Sequence, residues 1–178
     1  MNSQDVILGM LMRRSMTGYE IKQLLENLFS YFYSSSYGTI YPMLNKMEKD
    51  GLLTKENVVQ DGKPNKNVYT LTDQGKEQFN SYMYSPLELD SVKSDLLVRL
   101  FFGKYVGTDR VIAWLKQVQT EGLKQLQALN ERYSMHKHEM HPTQVICIQL
   151  GIKSYEAKLE AIAEGLERME QLDQEERI

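Results

Sequence analysis

One cysteine, Cys147, stands in 178 residues, so no intramolecular disulfide can staple the fold. The three histidines, His136, His138 and His141, sit close together beside Glu139. Their spacing puts no tetrahedral set on one face, and neither a metal nor a cofactor is expected. There is no apolar run of about 18 residues such as a membrane span requires. Arg13 and Arg14 follow the first apolar stretch instead of preceding it, unlike a secretory signal. A cytoplasmic protein without membrane attachment is expected. Positive charge is also scarce: 21 Lys and Arg against 24 Asp and Glu leave a net charge of −3, which argues against coating nucleic acid through bulk charge. The deficit lies in the second half, because residues 1–83 are balanced. No nucleophile elbow, phosphate loop or paired acid and base is present, so an enzyme is not expected.

What is present is a change of period along the chain. From Asp5 to Met12, Ile7, Leu8, Leu11 and Met12 suit one face of a short helix. Thr17-Gly18-Tyr19-Glu20 is a capping box, in which hydroxyl and carboxylate satisfy free amides at a helix start, and Ile21, Leu24, Leu25 and Leu28 continue it. Ser34, Ser35 and Ser36 can cap a third helix carrying Ile40, Leu44, Met47 and Leu52, with Gly51 as its C-cap. The pattern then alternates over Leu53–Val59 and Asn67–Leu71, two strands joined across residues 60–66 with an Asp-Gly turn. Thr72-Asp73 opens a fourth helix carrying Phe79 and Met83. Ser85-Pro86-Leu87-Glu88 supplies a break and a further capping pattern.

Three helices, a hairpin and a fourth helix describe a winged helix-turn-helix. The expected fold is mainly α: a winged helix-turn-helix with a two-stranded β wing over residues 1–84, then an all-helical dimerisation domain over 85–178. In that second part a helix from about Asp90 to Phe102 is expected to bury Leu96, Leu97, Leu100 and Phe101. Thr108 is expected to cap a long helix, and His141-Pro142 to start the last one. There Val145, Ile148, Ile152, Tyr155, Leu159, Ile162, Leu166 and Met169 recur in steps of three and four, a heptad seam. A second chain is its expected partner, with Leu115, Val118, Leu126, Ile152, Tyr155, Leu159, Ile162 and Leu166 at the interface. The alternative is that the seam packs wholly within its own chain. Cys147 is expected as a small buried hydrophobe.

The third helix, Tyr37-Gly38-Thr39-Ile40-Tyr41-Pro42-Met43-Leu44 followed by Met47-Glu48-Lys49-Asp50-Gly51-Leu52-Leu53, resembles the recognition helix of PadR-type regulators. Gly18-Tyr19-Glu20-Ile21 before it and Tyr69-Thr70-Leu71-Thr72-Asp73-Gln74-Gly75 after it extend the resemblance over residues 4–83. The helical tail is similar to the longer C-terminal domain of the branch that includes virulence-gene activators. The resemblance implies a repressor that binds double-stranded operator DNA as a homodimer and responds to a small hydrophobic or phenolic effector.

A helix fits the major groove, and small or polar residues at its entrance permit close approach. Ser35, Ser36, Gly38 and Thr39 have that character. Tyr37, Tyr41 and Asn45 can reach base edges or phosphates, and Pro42 restrains the entry geometry. On the wing, Lys63 and Lys66 flank Pro64-Asn65, a composition suited to the minor groove or flanking phosphates. Lys22, Lys46 and one of Arg13 or Arg14 can touch the backbone. Packing aromatics and solvated lysines are the plainer account of Tyr37, Tyr41 and the cations. Tyr19, Phe101, Tyr105 and Trp114 are candidates to line an effector site, though core packing explains them equally well. The competing functional reading is a protein-interaction adaptor that keeps the winged helix without binding DNA.

Overall fold

The computed structural model describes residues 2–26, 40–60, 63–90 and 92–176. The expected serine cap at 34–36, Leu28, the hairpin turn at 61–62, and Ser35, Ser36, Tyr37, Gly38 and Thr39 lie outside the described residues. The chain divides into two compact units, Met1–Asp90 and Ser91–Ile178.

In the first unit, α1 (Ser3–Leu11) begins in a capping box. The Asn2 side chain accepts from the Asp5 amide, and the Asp5 carboxylate accepts from the Asn2 amide. Ile7, Leu8, Met10 and Leu11 are buried, whereas Met12 is exposed. Met12 caps the helix, so its side chain leaves the apolar face on which the sequence pattern placed it. After β1 (Met16–Thr17), α2 (Gly18–Leu24) starts on the Thr17–Glu20 capping box. α3 (Ile40–Lys49) ends at Gly51, the one described residue with a positive φ, 75°. There the Leu52 amide donates to the Met47 carbonyl and the Gly51 amide to the Glu48 carbonyl, a Schellman motif that needs glycine in the left-handed conformation.

The sheet has strand order β1-β3-β2, all antiparallel, with β2 at Leu53–Gln60 and β3 at Lys63–Leu71. The hairpin is as expected, but two features differ from the sequence reading. Met16 and Thr17 add a third strand by pairing with Tyr69 and Val68. The connection is also shorter than residues 60–66, because Gln60 already pairs with Lys63. Between Val58↔Lys66 and Gln60↔Lys63 the register slips, leaving an extra residue on β3. Pro64 falls within that slip, where its missing amide removes no regular ladder bond. α4 (Asp73–Met83) is capped by Thr72. Met16, Ile21, Ile40, Leu44, Met47, Leu53 and Tyr69 join α1 in a single core, with Phe79 of α4 packed against it.

In the second unit, α5 (Asp95–Phe101) is shorter than its apolar pattern suggested, and Ser94 caps it. Residues 86–90 are not helical, so the Ser85–Glu88 pattern caps nothing. Leu96 and Leu100 turn inward, but Leu97 and Phe101, one residue further round the helix, are exposed. A 3₁₀ turn (Gly103–Tyr105) leads to α6 (Thr108–His136), whose N-cap is Gly107. Thr108 instead donates its hydroxyl to Asp173 near the far end of α7 (Pro142–Glu176). With Lys116–Glu170 and Tyr133–Gln149, that bond fixes the two long helices as antiparallel. The heptad seam closes inside this pair: Leu115, Ile148, Ile152, Leu159, Ile162 and Leu166 are buried within the single chain. Gly122 lets Leu159 approach so closely that a Cβ there would stand 2.9 Å from its methyl carbon.

Candidate nucleic-acid interface

α3 is split lengthwise. Ile40, Leu44 and Met47 are buried in the core, while Tyr41, Pro42, Asn45, Lys46 and Lys49 are exposed on the opposite face. The 3.6-residue period makes this division unavoidable, since 41, 45 and 49 follow one another up one side. The structure therefore brings four expected contact residues, Tyr41, Pro42, Asn45 and Lys46, onto one surface. Lys49, which sequence reasoning passed over, lies eight residues beyond Tyr41 on that surface, and the spacing alone would have found it. Lys46 and Lys49 make no ion pair among the described residues.

Tyr41 is held from below. Its ring lies on Gly18 at the start of α2, so close that a Cβ there would fall 2.6 Å from a ring carbon. Gly18 is positioned by the capping box beside it. Glu20 accepts from the Thr17 amide at 2.7 Å and the Thr17 hydroxyl at 2.9 Å, and Arg14 donates to it at 2.9 Å. The Thr17 amide, helped by that hydroxyl and by Arg14, keeps the Glu20 carboxyl below the usual carboxylate range. Ser15 meets Thr70 at 2.7 Å and ties this corner to β3. A second tie is the 2.8 Å ion pair of Lys55 on β2 with Glu48 on α3, which raises the lysine above its ordinary value. Tyr69 lies buried between these ties, and burial pushes its hydroxyl upward. Helix and hairpin are thus fixed to one another at two points.

The other expected contacts are more dispersed. Asn65 and Lys66 are exposed on β3 toward the turn end of the hairpin, and the backbone of Lys63 pairs with Gln60. Lys22 is half-buried on α2, 3.6 Å from Glu26, and Arg14 is engaged with Glu20. Arg13 is exposed. Tyr19 is exposed on α2, its hydroxyl accepting from Gln23.

The candidate effector residues do not converge within either unit: Tyr19 belongs to the first, and Phe101, Tyr105 and Trp114 to the second. Trp114 is half-buried in a cleft of about 470 Å³ with Arg99, Arg110 and Val118, the Arg99 guanidinium lying 5.4 Å from its ring centre. Phe101 and Tyr105 are exposed and do not line that cleft. Cys147 is exposed, contrary to expectation, because it falls between the buried seam positions of α7. Among the described residues no three His, Cys, Asp or Glu side chains gather as a metal site, and no helix is long and apolar enough to cross a membrane.

Residues 7–81 match the model of the transcriptional regulator PadR-like family, and residues 92–170 match that of the virulence activator alpha C-terminal region. A PadR-like transcriptional regulator from Bacillus cereus is 34% identical, with a TM-score of 0.86 over 96% of this chain and 99% of that one. The chain belongs to the PadR-like family of transcriptional regulators.

A Streptococcus mutans protein of solved structure is 40% identical, with a TM-score of 0.88 over 93% of this chain and 99% of its own. The negative transcriptional regulator PadR of Bacillus subtilis is 31% identical over 98 residues, 54% of this chain and 53% of that relative, so the match spans about half its length. Two crystal structures of Bacillus subtilis PadR share the fold. The complex with operator DNA has a TM-score of 0.82 at 20% identity, covering 93% of this chain and 96% of that one. The complex with p-coumaric acid has a TM-score of 0.74 at 18% identity, covering 94% and 98%. The PadR-like model falls on the unit that carries α3 and the hairpin.

Proposed function

We propose that this PadR-like regulator binds operator DNA sequence-specifically as a homodimer and represses transcription. The observation that carries the reading is the divided α3, with three residues in the core and an opposite face of Tyr41, Pro42, Asn45 and Lys46 free to enter a major groove. Ser35, Ser36, Tyr37, Gly38 and Thr39 precede that face in sequence and are assigned to its approach to the DNA. Lys63, Asn65 and Lys66 at the wing, together with Lys22, are assigned to phosphates and the minor groove. One helix reads too few base pairs for tight binding, so two chains are required, spaced about one helical turn apart. The domain of residues 1–84 reads DNA and that of 85–178 pairs the chains.

The Bacillus subtilis relative is a negative regulator, and structures of it hold operator DNA or p-coumaric acid. These support repression and release by a small hydrophobic or phenolic effector, for which Trp114 is the best-placed contact. The protein works in the cytoplasm and catalyses nothing. Titration of labelled DNA from the region upstream of its own gene tests the reading. A fixed footprint that survives excess competitor DNA is expected, and binding indifferent to sequence would overturn it. A reporter driven by that promoter should rise when the protein is absent.

A further inference from the structure

Gly18 is the first residue of α2 and its φ is not positive, so its backbone would accept any side chain. Glycine there costs helix stability relative to alanine. What keeps a Cβ out is one neighbour. The three atoms nearest an added Cβ all belong to the Tyr41 ring, at 2.6, 3.3 and 3.3 Å. At Gly9, Gly75 and Gly122 the obstacles are Phe79, the Leu52 carbonyl and Leu159, which are parts of the packed interior. Tyr41 is 51% exposed and belongs to the outer face of α3, so the space at Gly18 is kept for a ring that the core does not need.

The floor under that ring is fixed. Met16 and Thr17 pair with Tyr69 and Val68 of β3, Ser15 is tied to Thr70, and Arg14 donates to the Ser15 carbonyl at 3.1 Å as well as to Glu20. The segment that carries Gly18 is therefore attached to the hairpin on one side and supports the outer face of α3 on the other. An aromatic side chain has only a few staggered χ1 directions, and changing one carries the phenol hydroxyl several ångströms. A hydrogen bond tolerates about half an ångström. The direction of the ring thus decides which group its hydroxyl meets.

We propose that Gly18 is a positioning residue for sequence recognition: the space it leaves seats the Tyr41 ring in one direction before DNA arrives, and so sets the base preference of α3 from α2. The inference rests on the DNA-binding reading above and assigns part of its specificity. A ring ordered in advance loses no rotamer freedom on binding. A methyl group added at Gly18 moves the half-exposed ring, the freer of the two partners, and not the backbone. Lys46 on α3 and Lys66 on the hairpin lie outside this contact, so attraction to phosphates is unaffected.

Anisotropy titrations of the full chain at several salt concentrations test this, with DNA from upstream of its own gene and unrelated DNA of equal length. Gly18→Ala should lower the ratio of specific to non-specific affinity by about tenfold or more, the size of a lost base contact. Its non-specific affinity and salt slope should match wild type. In a Tyr41→Ala background the same Gly18→Ala should change nothing, because the ring it displaces is gone. A ratio unchanged by Gly18→Ala overturns the inference. So does an equal further loss in the Tyr41→Ala background, which places the effect in the fold. Should Gly18→Ala unfold the chain by circular dichroism, deleting the ring in the pair Gly18→Ala and Tyr41→Ala must restore the helical signal. A pair that stays unfolded lays the fault on the backbone and overturns the inference as well. A wild-type chain with no preference between the two DNAs overturns the operator reading itself.

Discussion

At Gly75 the fold leaves no space for a side chain. A Cβ would lie 2.3 Å from the Leu52 carbonyl oxygen and 2.7 Å from Leu71, while the Gly75 amide donates to the Thr72 hydroxyl. That hydroxyl donates in turn to the Gly51 carbonyl at 2.7 Å, so one threonine joins the end of α3 to the start of α4. Gly75→Ala forces backbone apart from backbone and should destabilise the protein by about 1–3 kcal/mol, read as a lower urea midpoint at unchanged slope. Glu20 makes a prediction in pH. Its carboxyl titrates lower in the folded chain than the ~4.3 of an unfolded glutamate, chiefly through the Thr17 amide. The stability it contributes is therefore complete above that unfolded value and disappears as pH falls through the folded one. Glu20→Gln should flatten the acid limb of a plot of Tm against pH. A limb identical to wild type would remove Glu20 from the account.

Binding energetics belong to the elements. With α3 in the major groove, Tyr41→Ala should weaken specific binding by roughly 1–3 kcal/mol and relax the preference at one position. Lys66→Ala on the hairpin should weaken all sequences alike and lower the salt slope by about one unit, as a phosphate contact does. Anisotropy titrations at several salt concentrations separate the two. α3 was legible in the sequence because Ile40, Leu44, Met47 and Gly51 are local signals: period, then stop. The two Thr caps at 17 and 72 were legible for the same reason. β1 was not, since two residues carry no alternation and its partners lie some fifty residues away. α5 misled because over seven residues Leu96-Leu97 and Leu100-Phe101 fit two faces equally well, and only the packed structure shows which pair turns inward. The seam of α7 showed that a stripe is covered, not whose helix covers it.

On the scale of the whole molecule, the charge balance acquires a meaning that composition withheld. The net charge of −3 conceals an α3 face bearing Lys46 and Lys49, while acids such as Glu20 and Glu48 are occupied by intramolecular partners. The sequence could not show that a groove runs beside α5, because its walls come from three separated segments. The stretch between the two units has a further consequence. Tyr84, Leu87 and Leu89 are each about 90% exposed, and residues 86–90 join no helix or sheet. Chymotrypsin at low dose should nick the native chain there first, which mass spectrometry of the early fragments would reveal. The N-terminal product keeps every residue of its own core. On the function proposed above, such a fragment, severed from a second chain, would occupy half a DNA site and compete with the intact regulator, turning one proteolytic cut into an antagonist.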